Sequence, residues 1–158
     1  MEYKLVIFAK MIRGSLNTMN YLEPIGFLNK IKAFFKKRHN ADIYIQYSIY
    51  NVRAFDMHVN FDASGKPYFE YDSIPYQTTS IYEMMNFLDK NNDVYIKIVL
   101  EGNSVKNEEQ FYNYCSTIER IYRNIHFFGG YRKKDSKVIY EFNNGGIIPK
   151  INWYNKFF

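Results

Sequence analysis

The apolar run Val94 to Leu100 is the segment that most limits the folds open to this chain. Its sequence, VYIKIVL, is of strand length and predicts a buried strand. Helical patterns stand on both sides of it. Ser80 and Glu83 form a capping box that opens a helix ending near Lys90, and Asn107 can cap a second helix. A strand between two helices is typical of a parallel sheet with crossover connections.

The same alternation extends over most of the chain. Further strands or extended segments are predicted at residues 4–9, 52–59, 67–71, 125–128 and 138–142. A helix is predicted over residues 23–38, because apolar side chains recur there at helical spacing: Leu22, Ile25, Leu28, Ile31, Phe34 and Phe35. The turn formers in residues 11–21 predict a loop.

Composition supports one folded domain over residues 1–158, with residues 143–158 as an aromatic tail. The chain is 47% hydrophobic and 20% aromatic, which excludes an intrinsically disordered protein. The single cysteine, Cys115, lies in an apolar-periodic stretch and is predicted to be a buried thiol. We therefore predict an α/β domain with a parallel sheet and crossover helices.

The charge pattern bears on partners and location. The net charge of +5 is concentrated in residues 30–38 and 132–134. Such patches can hold phosphate, nucleic acid or an anionic membrane surface, although solvated surface is the interpretation we favour. The N-terminal residues lack a signal-peptide pattern, and no run reaches the ~18 apolar residues of a membrane span. We expect a cytoplasmic protein, or one within an intracellularly assembled particle.

Short motifs at the predicted strand ends carry a family resemblance. Residues 13–18 (RGSLNT) resemble the Pro-Gly-Thr-His-Asp-Ser/Thr loop of phosphatidylinositol-specific phospholipases C. Residues 53–58 (RAFDMH) resemble that family's Arg-x-Phe-Asp-Ile-Arg strand, and residues 67–72 occupy the place of its apolar-His-Gly segment. The run that ends in Leu100 and Glu101 matches its third strand.

Glycerophosphodiester phosphodiesterases are similar to the chain as well. Their Ala-His-Arg-Gly motif falls on residues 11–14, and their Glu-x-Asp metal pair falls on Asp56 and His58. Either resemblance implies a TIM-barrel-like fold. A full barrel needs about 250 residues, so the resemblance implies a truncated or trimmed barrel here.

Two departures from the phospholipase pattern predict impaired catalysis. The family's mechanism uses one histidine to deprotonate the inositol 2-hydroxyl and another to protonate the departing glycerol oxygen. These histidines align with Leu16, which cannot exchange a proton, and with Tyr71, whose unperturbed pKa is about 10. Under the alternative alignment the first histidine falls on Ile12 and is lost again.

The remaining polar residues leave two interpretations open. In an active enzyme, Asp56 and His58 would be catalytic, and Asp56, His58 and Glu101 would hold Ca²⁺ or Mg²⁺. Arg13 and Arg53 would then bind an anion. The interpretation we favour makes Asp56 and Arg53 a buried hydrogen-bonded pair and needs no cofactor.

The sequence thus predicts a catalytically impaired phospholipase C-like domain that serves as a binding or structural protein, such as a component of a phage particle or another assembly. Self-association or a protein partner would cover the open sheet of a trimmed barrel. The aromatic tail either docks on such a partner or packs on its own core; its large side chains are Trp153, Tyr154, Phe157 and Phe158. The alternative is an active, metal-assisted phosphodiesterase acting on phosphoinositides or glycerophosphodiesters.

Overall fold

The computed structural model describes residues 10–36, 38–77, 81–143 and 147–157. Within these ranges the chain has a mixed α/β fold, in which helices flank a sheet curled into a half-barrel. The strand predicted at residues 4–9, the basic residue Lys37 and the helix cap Ser80 lie outside the described residues.

The described ranges contain strands, α-helices and one 3₁₀ helix, and most of them were predicted by the sequence pattern. The strands are β1 (Ile12–Ser15), β2 (Val52–Phe61), β3 (Pro67–Tyr71), β4 (Ile74–Tyr76), β5 (Tyr95–Leu100), β6 (His126–Arg132) and β7 (Ile151–Tyr154). The α-helices are α1 (Phe27–Phe34), α2 (Ile43–Ser48), α3 (Ile81–Leu88) and α4 (Val105–Ile121), and the 3₁₀ helix is Thr18–Tyr21.

Five strands form the parallel part of the sheet, in the order β7, β1, β2, β5, β6. β3 and β4 form an antiparallel hairpin, and β3 pairs with the C-terminal end of β2. It uses the same edge of β2 that β1 pairs with nearer the N-terminal end of β2. Asp56 of β2 stands opposite Lys97 of β5, which places their side chains on the same face. This register positions the polar cluster described below.

The hydrophobic core lies on the face of the sheet that α4 covers. Ile96, Ile98 and Leu100 alternate along β5 toward this face and are fully buried. Cys115 of α4 is buried among them, as the sequence predicted, and burial raises the pKa of its thiol. Ser104 caps α4 in a capping box with Asn107, so the predicted cap residue is in fact the third helical residue.

The helix predicted over residues 23–38 is shorter than expected, and its apolar stripe does not face the core. Pro24 pairs with Tyr76 in an isolated bridge, and α1 begins only after Gly26, whose φ of 89° an L side chain rarely adopts. The buried residue of α1 is Ala33, whereas the apolar side chains at helical spacing from Ile25 to Phe35 are exposed; Leu22, which precedes the helix, packs half-buried on the core. Helical spacing alone could not tell an inward stripe from an outward one.

Both ends of the described chain also depart from the prediction. Residues 12–15, predicted as loop, form β1, and residues 151–154 of the predicted tail form β7 beside it. Phe157 is buried between the rings of His39 and Tyr50. The tail therefore packs on its own domain. The strand predicted at 138–142 is reduced to a single bridge between Val138 and Tyr131.

Candidate functional site

A cluster of charged side chains lies on the face of the sheet opposite α4, near the C-terminal end of β5. Asp56 and His58 come from alternate positions of β2 and therefore share this face, and Glu101 follows the last residue of β5. These are the three residues that the sequence predicted as a catalytic and metal-binding group. The structure brings all three together.

His58 bridges the two carboxylates with its two ring nitrogens. Its Nδ1 lies 2.6 Å from Oε1 of Glu101, and its Nε2 lies 3.1 Å from Oδ1 of Asp56. All three side chains are buried, with Asp56 only 2% exposed. When both carboxylates are ionised, each can only accept a hydrogen bond, so both ring nitrogens must carry protons. The geometry thus favours an imidazolium cation held between two carboxylates.

Two lysines that sequence analysis did not assign to this site complete the cluster. Lys97 Nζ lies 2.9 Å from Oδ1 of Asp56, and Lys133 Nζ lies 3.1 Å from Oε1 of Glu101. The backbone N–H of Asn17 donates to Oδ2 of Asp56 at 3.0 Å. The lysine within the apolar run VYIKIVL could have indicated the site from the sequence. Side chains alternate along a strand, so Lys97 and Glu101 point to the same face of the sheet. Lys133 arrives through a turn and carries no such signal.

The pKa values of the cluster follow from these contacts. Burial by itself would lower the pKa of His58, but the hydrogen bonds and charges of Asp56 and Glu101 outweigh it and raise that pKa above its ordinary value. Burial would raise the pKa of Asp56, yet the hydrogen bond and charge of His58, with Lys97 and the Asn17 amide, lower it to about 2. Both shifts favour the ionised forms of the pair near neutral pH.

The positions aligned with the family's histidines have structural roles. The Tyr71 hydroxyl donates to the carbonyl of Asp56 at 3.0 Å and accepts from the backbone N–H of Met19 at 3.2 Å. Burial raises the pKa of Tyr71 well above its ordinary value, so the phenol stays protonated. The backbone carbonyl of Leu16 accepts a hydrogen bond from His39 Nε2 at 2.7 Å. Tyr71 therefore holds the backbone beneath the cluster, and its ring lies 5.0 Å from that of His58.

Arg13 and Arg53, the two predicted anion-binding residues, lie at the N-terminal end of the parallel strands, away from the cluster. Arg13 donates to the carbonyl of Tyr50 at 2.6 Å, and Arg53 forms an ion pair with Asp93 at 2.9 Å. Both line a separate cleft of about 590 Å³. The favoured pair of Asp56 and Arg53 is therefore wrong, because three residues along a strand separate the two side chains onto opposite faces.

The predicted metal ligands do not converge on a common point. His58 lies between the carboxylates, and each of its nitrogens is already hydrogen-bonded to one of them. Lys97 and Lys133 hold the same carboxylates. Among the described residues, no group of three or more His, Cys, Asp or Glu side chains could hold a metal ion. As arranged here, the cluster does not fit Ca²⁺ or Mg²⁺.

An open cleft of about 530 Å³ adjoins the cluster beyond the end of β5. Glu101 and Lys133 form the boundary between the cluster and the cleft, and Lys134 lies on the cleft wall. The remaining lining is mostly polar: Asn60, Glu70, Ser73, Gly102, Asn103 and Asn107. Amide groups and lysines at this rim can donate hydrogen bonds to an anionic ligand.

His39, which matches no motif, has a structural role. Its Nε2 lies 2.7 Å from the Leu16 carbonyl, and its Nδ1 accepts from the backbone N–H of Phe157 at 3.0 Å. Burial lowers the pKa of His39, which favours the neutral ring that can make both bonds. His39 thereby links the loop after β1 to the C-terminal segment.

No protein-family model, curated protein or solved structure shows a significant match to this chain. Among the helices in the described ranges, none has both the length and the apolar character needed to cross a membrane.

Proposed function

We propose that this chain is a catalytically impaired phospholipase C-like domain, built on a truncated TIM-barrel-like scaffold, that serves as a binding or structural protein. One observation carries the proposal. His58, the histidine in the cluster of Asp56 and Glu101, has both ring nitrogens hydrogen-bonded to carboxylates.

In this arrangement His58 cannot act as a general base. A general base must present an unprotonated nitrogen to its substrate, and general acid–base catalysis is typically worth ~10²–10⁴-fold per group. Both nitrogens of His58 are occupied by hydrogen bonds to Asp56 and Glu101, and the raised pKa favours the protonated ring. Leu16 and Tyr71 offer no replacement, because one is apolar and the other is a buried phenol with backbone partners.

The strand order supports a scaffold derived from a barrel. The last strand of a closed parallel barrel pairs with its first strand. Here β7 pairs in parallel with β1, and the parallel order continues through β2, β5 and β6. With the motif resemblance around residues 13–18 and 53–58, this order favours a trimmed barrel over an unrelated α/β sheet.

The ligand proposed for the cleft is a phosphate-bearing molecule, and the partner proposed for the open sheet is a protein or a second copy of the chain. Lys133 and Lys134 supply the cationic groups of the cleft, beside the carboxylates of Glu70 and Glu101. On the face of the sheet that carries the cluster, Tyr95, Phe128 and Trp153 remain only half-buried. Partly exposed aromatic side chains on an open sheet are typical of interaction surfaces.

The alternative, an active phosphodiesterase, is favoured by the convergence of Asp56, His58 and Lys97 in one buried cluster. Buried, interacting titratable groups are common at active sites. For this alternative, His58 must release one carboxylate when substrate binds.

Hydrolysis assays separate the two functions. We expect the purified chain to release no product from phosphatidylinositol, glycerophosphoinositol or glycerophosphocholine, whether EDTA, Ca²⁺ or Mg²⁺ is present. Turnover that disappears in His58→Ala but persists in His126→Ala would overturn the proposal and establish the enzyme. His126 is a suitable control, because it lies on the same sheet and its Nε2 contacts only a backbone carbonyl, that of Asn92 at 2.9 Å.

Binding is tested separately by titrating the chain with inositol phosphates and inorganic phosphate. Lys133→Gln combined with Lys134→Gln should weaken binding at the cleft, whereas Lys90→Gln, on an exposed position outside it, should not. Equal affinities in all these variants would exclude the cleft as the ligand site.

A further inference from the structure

Helix α1 has its apolar stripe facing away from the protein. Ordinary surface helices turn that stripe toward the core. In α1 the buried residue is Ala33, with Asn29 half-buried beside it, whereas Phe34 is 80% exposed. Phe35, which follows the helix, is equally exposed. The outward apolar face, called here the α1 face, consists of Phe27, Leu28, Ile31, Phe34 and Phe35.

The sequence explains this orientation. Successive residues of a helix advance by about 100°, so Phe27, Ile31 and Phe34 fall on one side and Asn29 and Ala33 on the other. Small and polar side chains suit the close approach of α1 to β4. The apolar side of α1 therefore faces solvent. Single exposed apolar residues are common on protein surfaces, but this side is a contiguous apolar patch.

Lysines border the α1 face on both sides. Lys30 lies at one border of the stripe, and Lys32 and Lys36 lie toward the other. All three are exposed. The segment from Pro24 to Arg38 contains no Asp or Glu, and the one carboxylate paired with Lys30 is that of the preceding, exposed Glu23, at 3.8 Å. An apolar stripe flanked by lysines is the pattern of a helix that lies in the plane of a membrane interface.

The C-terminal end of α1 is connected to the charged cluster by ion pairs. Lys36 Nζ is 3.8 Å from Oδ2 of Asp72, and Asp72 contacts Lys133 at 3.2 Å. Lys133 in turn contacts Glu101 of the cluster. This chain of ion pairs connects the C-terminal end of α1 to the rim of the cleft.

We propose that α1 docks this protein on an anionic lipid surface, with the α1 face inserted among the acyl chains and the lysines against the headgroups. A second copy of the chain is a poorer occupant. In a twofold-symmetric contact the same lysines would face one another across the interface, and like charges oppose such pairing. A membrane with anionic headgroups satisfies both the apolar stripe and its cationic borders.

Vesicle sedimentation with the full chain tests this proposal. We expect binding to phosphatidylcholine vesicles that contain phosphatidylglycerol and much weaker binding to phosphatidylcholine alone. Replacing Phe34 and Phe35 by Ala should lower the partition coefficient by at least about tenfold, because two large apolar side chains no longer enter the bilayer. Val105→Ala removes a comparably exposed apolar side chain at the start of α4 and should leave binding unchanged.

The charge contribution is tested with Lys30→Gln combined with Lys32→Gln. Each lysine near an anionic surface contributes roughly fivefold in affinity, so the pair should weaken binding by on the order of tenfold or more, and added salt should reduce the difference. Lys90→Gln combined with Lys150→Gln is the matched control, since both residues are exposed and lie outside α1.

Three results would overturn the proposal. Wild-type protein that ignores anionic vesicles, or binds them as tightly after the Phe34 and Phe35 replacements, would exclude lipid docking through α1. A dimer in sedimentation velocity that those replacements abolish, without vesicle binding, would assign the α1 face to a second copy. Since vesicle binding does not require turnover or a ligand in the cleft, its failure and a failure of the proposed function are observed independently.

Discussion

Replacing His58 by Gln should destabilise the fold, and the loss should depend on pH. The substitution removes a cation from between Asp56 and Glu101, which are both buried. The pKa of Asp56 lies at about 2 against an ordinary 3.8, and a shift of this size corresponds to roughly 2 kcal/mol of stabilisation at neutral pH. Without His58, part of that stabilisation is lost, and Glu101 also loses its closest partner.

The size of the expected loss of stability depends on the contacts that Asp56 and Glu101 keep in the variant. Removing one partner of a buried ion pair costs about 3–5 kcal/mol. Lys97 and Lys133 still contact the two carboxylates, so we expect the lower end, about 3 kcal/mol at pH 6. Because the folded-state pKa of His58 is raised, its contribution is complete below the unfolded pKa and disappears as the pH rises through the folded value. The difference between variant and wild type should therefore be largest below pH 6.5 and shrink as the pH rises through the raised pKa of His58.

Urea unfolding followed by circular dichroism at pH 6 and pH 9 measures both quantities. His126→Gln is the matched control and should change stability little at either pH, because His126 contacts a carbonyl and no carboxylate. In parallel, nitrogen NMR of the imidazole should find both His58 nitrogens protonated at pH 7. A loss below about 1 kcal/mol at pH 6, or an equal loss at both pH values, would refute the imidazolium bridge.

Three further changes test the scaffold around the cluster. Tyr71→Phe should lower the free energy of unfolding by about 1–3 kcal/mol in urea titrations, since the Met19 N–H and the Asp56 carbonyl lose their partner; exposed Tyr82→Phe should have no effect. Gly14→Ala should displace β7, because an added Cβ would clash with the side chains of Ile151 and Trp153. The fluorescence of Trp153, the chain's single tryptophan, should then shift to the red, and an unshifted spectrum would contradict this packing. Stability should fall as the pH drops below about 6.5 toward the lowered pKa of His39. His39→Gln should remove that acid sensitivity and increase hydrogen exchange at the amides of Asn40 and Ala41, which bond to Phe157; protection as in wild type would argue against the link.

The elements that the sequence predicted well are those whose pattern is set by burial on one face. The strand at residues 94–100 and the inner face of α4, with Phe111, Cys115 and Ile118, match the structure because alternation or helical spacing records that burial directly. β1 and β7 were missed because each is short and each depends on the other, almost the whole chain away. Their pairing leaves no local signal in Arg13, Gly14 or Ser15.

The candidate site was partly predictable for the same reason. Strand alternation was enough to place Asp56 and His58 together, and the end of β5 added Glu101. The position of Arg13 was mispredicted, because the first strand was expected at residues 4–9 and Arg13 in the loop after it, whereas Arg13 lies within β1. The bridging orientation of His58 depends on side-chain rotamers and on Lys97 and Lys133, which arrive from other elements. No pattern in one strand could specify it.

The pairing of β7 with β1 determines when the protein can finish folding during its synthesis. β1 is among the first described residues to leave the ribosome, yet its outer partner, residues 151–154, is made near the end of the chain. Until then β1 presents an unpaired edge, while β2, β5 and β6 can already assemble beside it. At about 5–20 residues per second, synthesis from the end of β1 to the end of β7 leaves that edge open for about 7 to 28 seconds. A nascent chain stalled before β7 should therefore recruit chaperones more strongly than one stalled after residues 151–154 have emerged from the ribosome.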